Sequence, residues 1–230
     1  MIRAVLIDLD GTLVDTLSEI ASAANAMLIE AGRPRLSDRA VAEAVGEGAA
    51  VLVASLVGPD EGARWLQVYL AHYRKVNGTI ATLYPNVREG LEAMRAAGLA
   101  IACVTNKPSE LVSPLLDSLG IVTYFDALIG GGDTVEKKPH PAPLLAACER
   151  IDVAPGACAM IGDSKNDALA ARAAGMVSLT VPYGYPGASG DEGSADALLA
   201  AGITSAVVSD LLAAARWIAL REQDQRFDHA

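Results

Sequence analysis

The run Ala4-Val5-Leu6-Ile7-Asp8-Leu9-Asp10-Gly11-Thr12 reads as a buried strand that ends in a pair of carboxylates. Four apolar residues without alternation describe a parallel strand covered on both faces. Open α/β sheets place their ligand groups at the carboxyl ends of such strands, which is where Asp8 and Asp10 stand. Beyond Tyr84-Pro85-Asn86, strands and helices alternate in the same manner. A helix through Leu91 and Met94 stops at Gly98 and leads into a strand at 99–104. Helices are expected at 110–119, 142–150, 166–174 and 211–221, and strands at 127–129, 158–161, 177–181 and 206–208. The pattern predicts an α/β protein with a doubly wound parallel sheet.

Between the first strand and Tyr84 the pattern is helical, with no strand candidate. Ile20, Ala24, Met27 and Leu28 recur at helical spacing, Ser37 is placed to cap a second helix, and Pro59 suits the first turn of a longer one. Residues 16–81 are therefore expected to form a helical cap inserted into a core of 1–15 and 82–230. Trp65, Tyr69 and Tyr73 lie at helical spacing and are expected in the core of that cap. The polar tail 222–230 is expected to fray.

The 230 residues are 52% hydrophobic and 20% charged, enough to build a sizeable core. A net charge of −10 disfavours a general nucleic-acid binder, which needs a cationic face. No apolar run is long enough to span a membrane, and the first one meets Asp8 too early for a signal peptide. Cys103, Cys148 and Cys158 have no zinc spacing and read as buried free thiols in a reducing, cytoplasmic setting.

The strand ends carry the chemistry. Besides Asp8 and Asp10 they deliver Thr105-Asn106, Lys138 just before a helix, and Gly162-Asp163-Ser164-Lys165-Asn166-Asp167. A doubly wound sheet brings these segments to one crevice. Carboxylates gathered there repel one another and call for a hard divalent cation, while Lys138 offers a positive charge to an anionic oxygen. By chemistry alone this is a phosphoryl-transfer site.

Asp8-Leu9-Asp10-Gly11-Thr12-Leu13-Val14-Asp15 resembles the first motif of the haloacid dehalogenase superfamily. Thr105 is similar to the second motif, Lys138-Pro139 to the third, and the segment from Gly162 to Asp167 to the fourth, all in order along the chain. The resemblance implies that Asp8 is a nucleophile forming an aspartyl phosphate and that Asp10 is the general acid and base. It further implies Mg²⁺ held by the Asp8 carboxylate, the Asp10 backbone carbonyl and Asp163, with Asp167 bracing that shell or orienting Lys138. Thr105 and Lys138 would hold the transferring oxygens with help from Asn106, and Gly11 would let the backbone approach the phosphate.

Val45-Gly46-Glu47-Gly48 with Leu52 resembles the cap loop of the phosphoglycolate phosphatase branch, which makes Gly46 and Gly48 candidate substrate contacts. Val181-Pro182-Tyr183-Gly184-Tyr185 resembles a tyrosine-glycine segment of the same branch, and Asn86 stands where that branch has glycine. The implied enzyme is a phosphomonoesterase for a small phosphorylated metabolite, 2-phosphoglycolate first, working as a monomer or homodimer. The alternatives are a phosphosugar mutase of the β-phosphoglucomutase type and a phosphatase for sugar phosphates or nucleotides. A non-enzymatic scaffold is disfavoured, because every catalytic position is filled.

Overall fold

The computed structural model describes residues 1–185 and 190–227. Strand β1 (Ala4–Ile7) sits near the middle of a parallel sheet, which has six strands among the described residues. The others are β4 (Ala100–Pro108), β5 (Ala127–Gly131), β6 (Cys158–Gly162), β7 (Val177–Thr180) and β8 (Ala206–Val207), in the order β5-β4-β1-β6-β7-β8. The chain builds leftward from β1 through β4 to β5, then crosses back to β6 and builds rightward. The reversal leaves a crevice above the ends of β4, β1 and β6, and parallel register aligns Ile7 with both Cys103 and Ile161.

Both faces of the sheet are covered, which is why its strands lack alternation. Val5 and Ile7 pack on one side against α5 (Val87–Ala96), α6 (Ser109–Ser118) and α10 (Leu211–Phe227), through Leu91, Leu115 and Leu211. Ala4 and Leu6 face α7 (Ala142–Ile151) and α8 (Lys165–Ala173), through Leu144, Ala147 and Ala171. Asn86 precedes α5 in the left-handed conformation at φ 61°, one that asparagine tolerates far better than a branched residue does. Its side chain donates to Asp210 Oδ2 at 2.9 Å.

A third apolar cluster belongs mainly to α1 (Leu17–Glu30), α2 (Asp38–Ala42), α3 (Ala49–Val57) and α4 (Pro59–Val76), with Met27, Val53, Tyr69 and Tyr73 buried in it. Ser37 caps α2 through Ala40 N, and Pro59 occupies the first turn of α4. The two chain segments that connect this helical unit to the sheet pair with each other. Short strands β2 (Val14–Asp15) and β3 (Thr82–Leu83) run antiparallel, with Val14 opposite Leu83. The sequence suggests no strand there, because two residues are too few to show a period.

Next to this ribbon, buried Glu19 of α1 gathers the second tether. Its Oε1 accepts from the backbone N–H groups of Thr79, Ile80 and Ala81 at 2.8, 2.8 and 3.0 Å, and its Oε2 from Gly78 N–H at 3.1 Å.

After β7 the chain passes through α9 (Ala195–Ala200) before β8. Residues 186–189, in the loop after β7, lie outside the described residues, as do 228–230, while α10 runs past its expected end at 221 to Phe227, into the tail expected to fray. Among the described residues, no helix is long and apolar enough to cross a membrane. Cys103, Cys148 and Cys158 are buried and free, with Cys148 Sγ and Cys158 Sγ 3.6 Å apart.

Candidate active site

Asp8 follows β1 directly, so its side chain rises into the crevice at the sheet's switch point. Lys138, brought over from the segment before α7, reaches it with Nζ 2.9 Å from Asp8 Oδ1. The same ammonium donates to Asp167 Oδ1 at 2.6 Å and to Val104 O at 2.7 Å, so two hydrogen bonds and the ion pair with Asp8 hold it in place. Asp167 is equally committed. It is the third residue of α8, and its Oδ2 accepts from Ser164 N and Oγ while Ser164 Oγ accepts from Asp167 N–H, closing a capping box.

Asp163, at the end of β6, is held from two sides. Thr12 Oγ1 donates to Oδ1 at 2.7 Å and Tyr185 N–H donates to Oδ2 at 2.9 Å. The space around this carboxylate exists because Gly11 and Gly184 have no side chains. A Cβ would lie 2.4 Å from Asp163 Oδ2 at the first and 2.0 Å at the second.

Burial pushes the Asp8 carboxyl up to about 7, against the pull of Lys138 and with a further push from Asp167. Burial also raises Asp163 well above the usual carboxylate range, with Asp167 and Asp8 adding to it. Burial alone would lower Lys138, yet Asp167 and then Asp8 hold its ammonium above the ordinary lysine value. Oxygens of Asp8, Asp163 and Asp167 lie within 4.8 Å of one another. Lys138 supplies one positive charge against these three carboxylates, and Asp8 Oδ1 is buried without a well-formed hydrogen bond. Clustered, desolvated oxygens short of positive charge fit a hard divalent cation. Asp167 Oδ1 pairs with the Lys138 ammonium and its Oδ2 accepts twice from Ser164, whereas each Asp163 oxygen accepts one neutral donor, so Asp8 and Asp163 keep the lone pairs to ligate it.

Asp10 lies outside that cluster. Its Oδ1 accepts from Thr16 Oγ1 at 2.8 Å and from Lys107 Nζ at 3.0 Å, which turns the carboxylate toward the helical unit. The two aspartates of the first motif thus occupy different environments.

Strand β4 runs past its expected end at 104, with an irregularity in its register against β5 between Val104 and Pro108 that sets out Thr105, Asn106 and Lys107. Thr105 Oγ1 accepts from Lys107 N–H at 3.1 Å, which leaves its own proton for an acceptor in the cavity. Asn106 differs from expectation. Its Nδ2 donates to Gly46 O at 3.0 Å and Lys138 O at 2.9 Å, and its Oδ1 accepts from Lys138 N–H at 3.0 Å. The amide is thereby spent on bracketing Lys138 and holding the loop before α3, and is not free for a phosphate oxygen.

Gly46 and Gly48 both line the cavity between sheet and helical unit. Gly48, at φ +88°, packs so tightly that a Cβ would lie 2.9 Å from Asn106 O and 3.0 Å from Lys137 Nζ. Lys137 is half-buried against this loop. Arg33 is turned away from the cavity's charges: it donates to Leu56 O and Val57 O at the end of α3 and pairs with Glu61.

Sequence reasoning missed Lys107, Thr16 and the use made of Tyr185. Lys107 directly follows Thr105-Asn106, yet no spacing reveals that it turns inward. Tyr69 and Tyr73 are buried as expected, but they also wall the cavity, and the Tyr73 hydroxyl accepts from Lys107 Nζ. Tyr185 Oη accepts from Thr16 N–H at 2.6 Å and donates to Asp15 Oδ1 at 3.1 Å, tying the loop after β7 to the first tether.

This fold and these strand-end residues accompany a match of residues 2–175 to the family model of haloacid dehalogenase-like hydrolases, and the chain belongs to that family. The phosphoglycolate phosphatase of Nitrosospira multiformis is 45% identical over 192 residues, covering 80% of this chain and 85% of the relative. That of Chromobacterium violaceum is 41% identical over 196 residues, covering 82% and 88%. A crystal structure of a predicted phosphoglycolate phosphatase from Haemophilus somnus superposes with a TM-score of 0.83 at 32% identity, covering 92% of this chain and 95% of that one.

Proposed function

We propose that this chain is a Mg²⁺-dependent phosphomonoesterase that hydrolyses 2-phosphoglycolate to glycolate and phosphate in the cytoplasm. In this reading residues 1–15 and 82–230 form the catalytic core, and residues 16–81 form a cap that covers a small substrate. The observation that carries it is the division between the two aspartates. Asp8 sits in a buried, cation-demanding cluster with Lys138, whereas Asp10 is held apart by Thr16 and Lys107. Two carboxylates in contrasting environments suit two different tasks. The similarity to phosphoglycolate phosphatases at 45% and 41% identity supports the choice of substrate.

An Asp8 oxygen forms a bond to phosphorus as the bond to the glycolate oxygen breaks, and the Asp10 carboxyl delivers its proton to that leaving oxygen. Water then attacks the phosphorus of the aspartyl phosphate and gives a proton back to Asp10, and the bond to Asp8 breaks. Thr105 and Lys138 hold the transferring oxygens, and Gly11 gives the phosphate room against the backbone. Mg²⁺, held by Asp8, Asp163 and the Asp10 backbone carbonyl, supplies positive charge against the phosphate when bound. Gly46 and Gly48 let the loop before α3 close over the substrate.

The test is phosphate release from 2-phosphoglycolate with Mg²⁺ and no bisphosphate activator, alongside Asp8→Asn. Release should be steady in the parent and fall to background in the variant, which keeps its circular dichroism spectrum. Dependence on a bisphosphate would favour a mutase, and turnover by Asp8→Asn would remove Asp8 as nucleophile.

A further inference from the structure

Lys107 is a buried ammonium whose hydrogen bonding is incomplete. Its side chain is 1% exposed, and it donates to Asp10 Oδ1 and to the Tyr73 hydroxyl. An ammonium carries three protons, and beyond these two oxygens the described residues offer it only the face of the Tyr73 ring, 4.2 Å from the ring centroid, and no third oxygen acceptor. Lys138 makes the contrast, since it donates to Asp167 and Val104 O and has a second carboxylate, Asp8, at ion-pair distance. A donor desolvated this far without a partner is costly unless something else fills the place. Lys107 lines the cavity, where a ligand oxygen can take that place.

We propose that Lys107 recognises the carboxylate of the substrate and sets the preference for a phosphorylated 2-hydroxy acid over a neutral phosphate ester of the same size. The inference rests on the reading of 2-phosphoglycolate as substrate and of Asp10 as the proton donor. Asp10 must come within hydrogen-bond reach of the leaving oxygen, ~2.6–3.2 Å. In 2-phosphoglycolate only the methylene and carboxyl carbons separate that oxygen from the carboxylate. A cation 3.0 Å from Asp10 Oδ1 is therefore in the neighbourhood where the carboxylate must lie. The helical unit contributes Ile20, Leu52, Tyr69 and Tyr73 to the cavity wall, apolar and aromatic surface that limits the screening of the ion pair by water. Lys165 also lines the cavity, but it is half-exposed beside the Asp163 end of the site, so water screens it more.

The experiment measures kcat/KM for 2-phosphoglycolate and for 2-hydroxyethyl phosphate, which replaces the carboxylate with a hydroxymethyl group. Both are measured with saturating Mg²⁺ in the parent, Lys107→Met and Lys107→Gln. The preference of the parent for 2-phosphoglycolate should shrink on the order of 10–100-fold in either variant, the worth of a charge-assisted hydrogen bond. Misfolding or loss of Asp10 positioning lowers both substrates together and leaves the ratio intact, so the ratio isolates recognition. A parent preference that persists in both variants overturns the role of Lys107 and leaves the substrate reading standing. A parent with no preference for 2-phosphoglycolate overturns both.

Discussion

Glu19→Gln is the substitution whose consequence the structure specifies most closely. The carboxylate is fully buried and takes four consecutive backbone N–H groups, from Gly78 to Ala81, where the chain leaves α4 and returns to the sheet. Glutamine keeps one carbonyl oxygen for the three N–H groups gathered on Oε1. Its NH₂ group then faces the Gly78 N–H, donor against donor. Hydrogen bonds to a charged group contribute ~1.5–3 kcal/mol each, and an unsatisfied buried donor costs ~1–3 kcal/mol. Thr79 and Ile80 are exposed, so water replaces part of what is lost. One lost bond and three weakened ones then amount to about 2–4 kcal/mol. At ~2–4 °C per kcal/mol for a chain of this size, the melting temperature should fall by roughly 5–15 °C. Equilibrium urea unfolding with a matched thermal melt measures the change, and limited proteolysis should show new cleavage at 77–82. A stability change below ~0.5 kcal/mol, the range of ordinary surface substitutions, would refute the anchoring role.

Gly184→Ala places a methyl group 2.0 Å from Asp163 Oδ2 and must displace that carboxylate, so Mg²⁺ should bind at least ~10-fold more weakly, as measured by activation titration. Unchanged metal affinity would mean that Asp163 is not a ligand. The pH dependence follows from Asp8, whose carboxyl rises from 3.8 to about 7, and from Asp163, raised for the same reason of burial. Between these values the folded, metal-free protein binds more protons than the unfolded chain. The contribution of these two carboxyls to stability is therefore full below pH ~4 and declines as pH rises toward ~7, by at most ~1.4 kcal/mol per pH unit for each. Saturating Mg²⁺ should flatten the decline. Urea midpoints in EDTA that stay constant across this window would show that the carboxyls are not raised.

Much of this was legible in the sequence because burial and chemistry were written locally. An unbroken apolar run such as Val5-Leu6-Ile7 must be covered on both faces, and the packing of Val5 and Leu6 into different clusters is that requirement met. Asp8, Lys138, Asp163 and Asp167 could be read as one crevice because each stands at a strand end or helix start, and parallel topology brings those ends together. Ser37, Pro59 and Asn86 acted through neighbours a few residues away, so their roles were visible too.

Contacts between side chains far apart in the chain became visible only in the folded molecule. Lys107 and Asp10 are 97 residues apart, and Tyr185 meets Thr16 across 169. A lysine beside Asn106 has the same local text whether it points to water or to a buried carboxylate. Glu19 likewise reads as an ordinary polar residue in a first helical turn until the second tether folds around it. Periodicity and burial, both local in the chain, therefore specify the sheet, the helices between β1 and Tyr84 and the residues at the strand ends. Folding decided which charge each of those residues would face, because electrostatic environment depends on distance in space and not on distance along the chain.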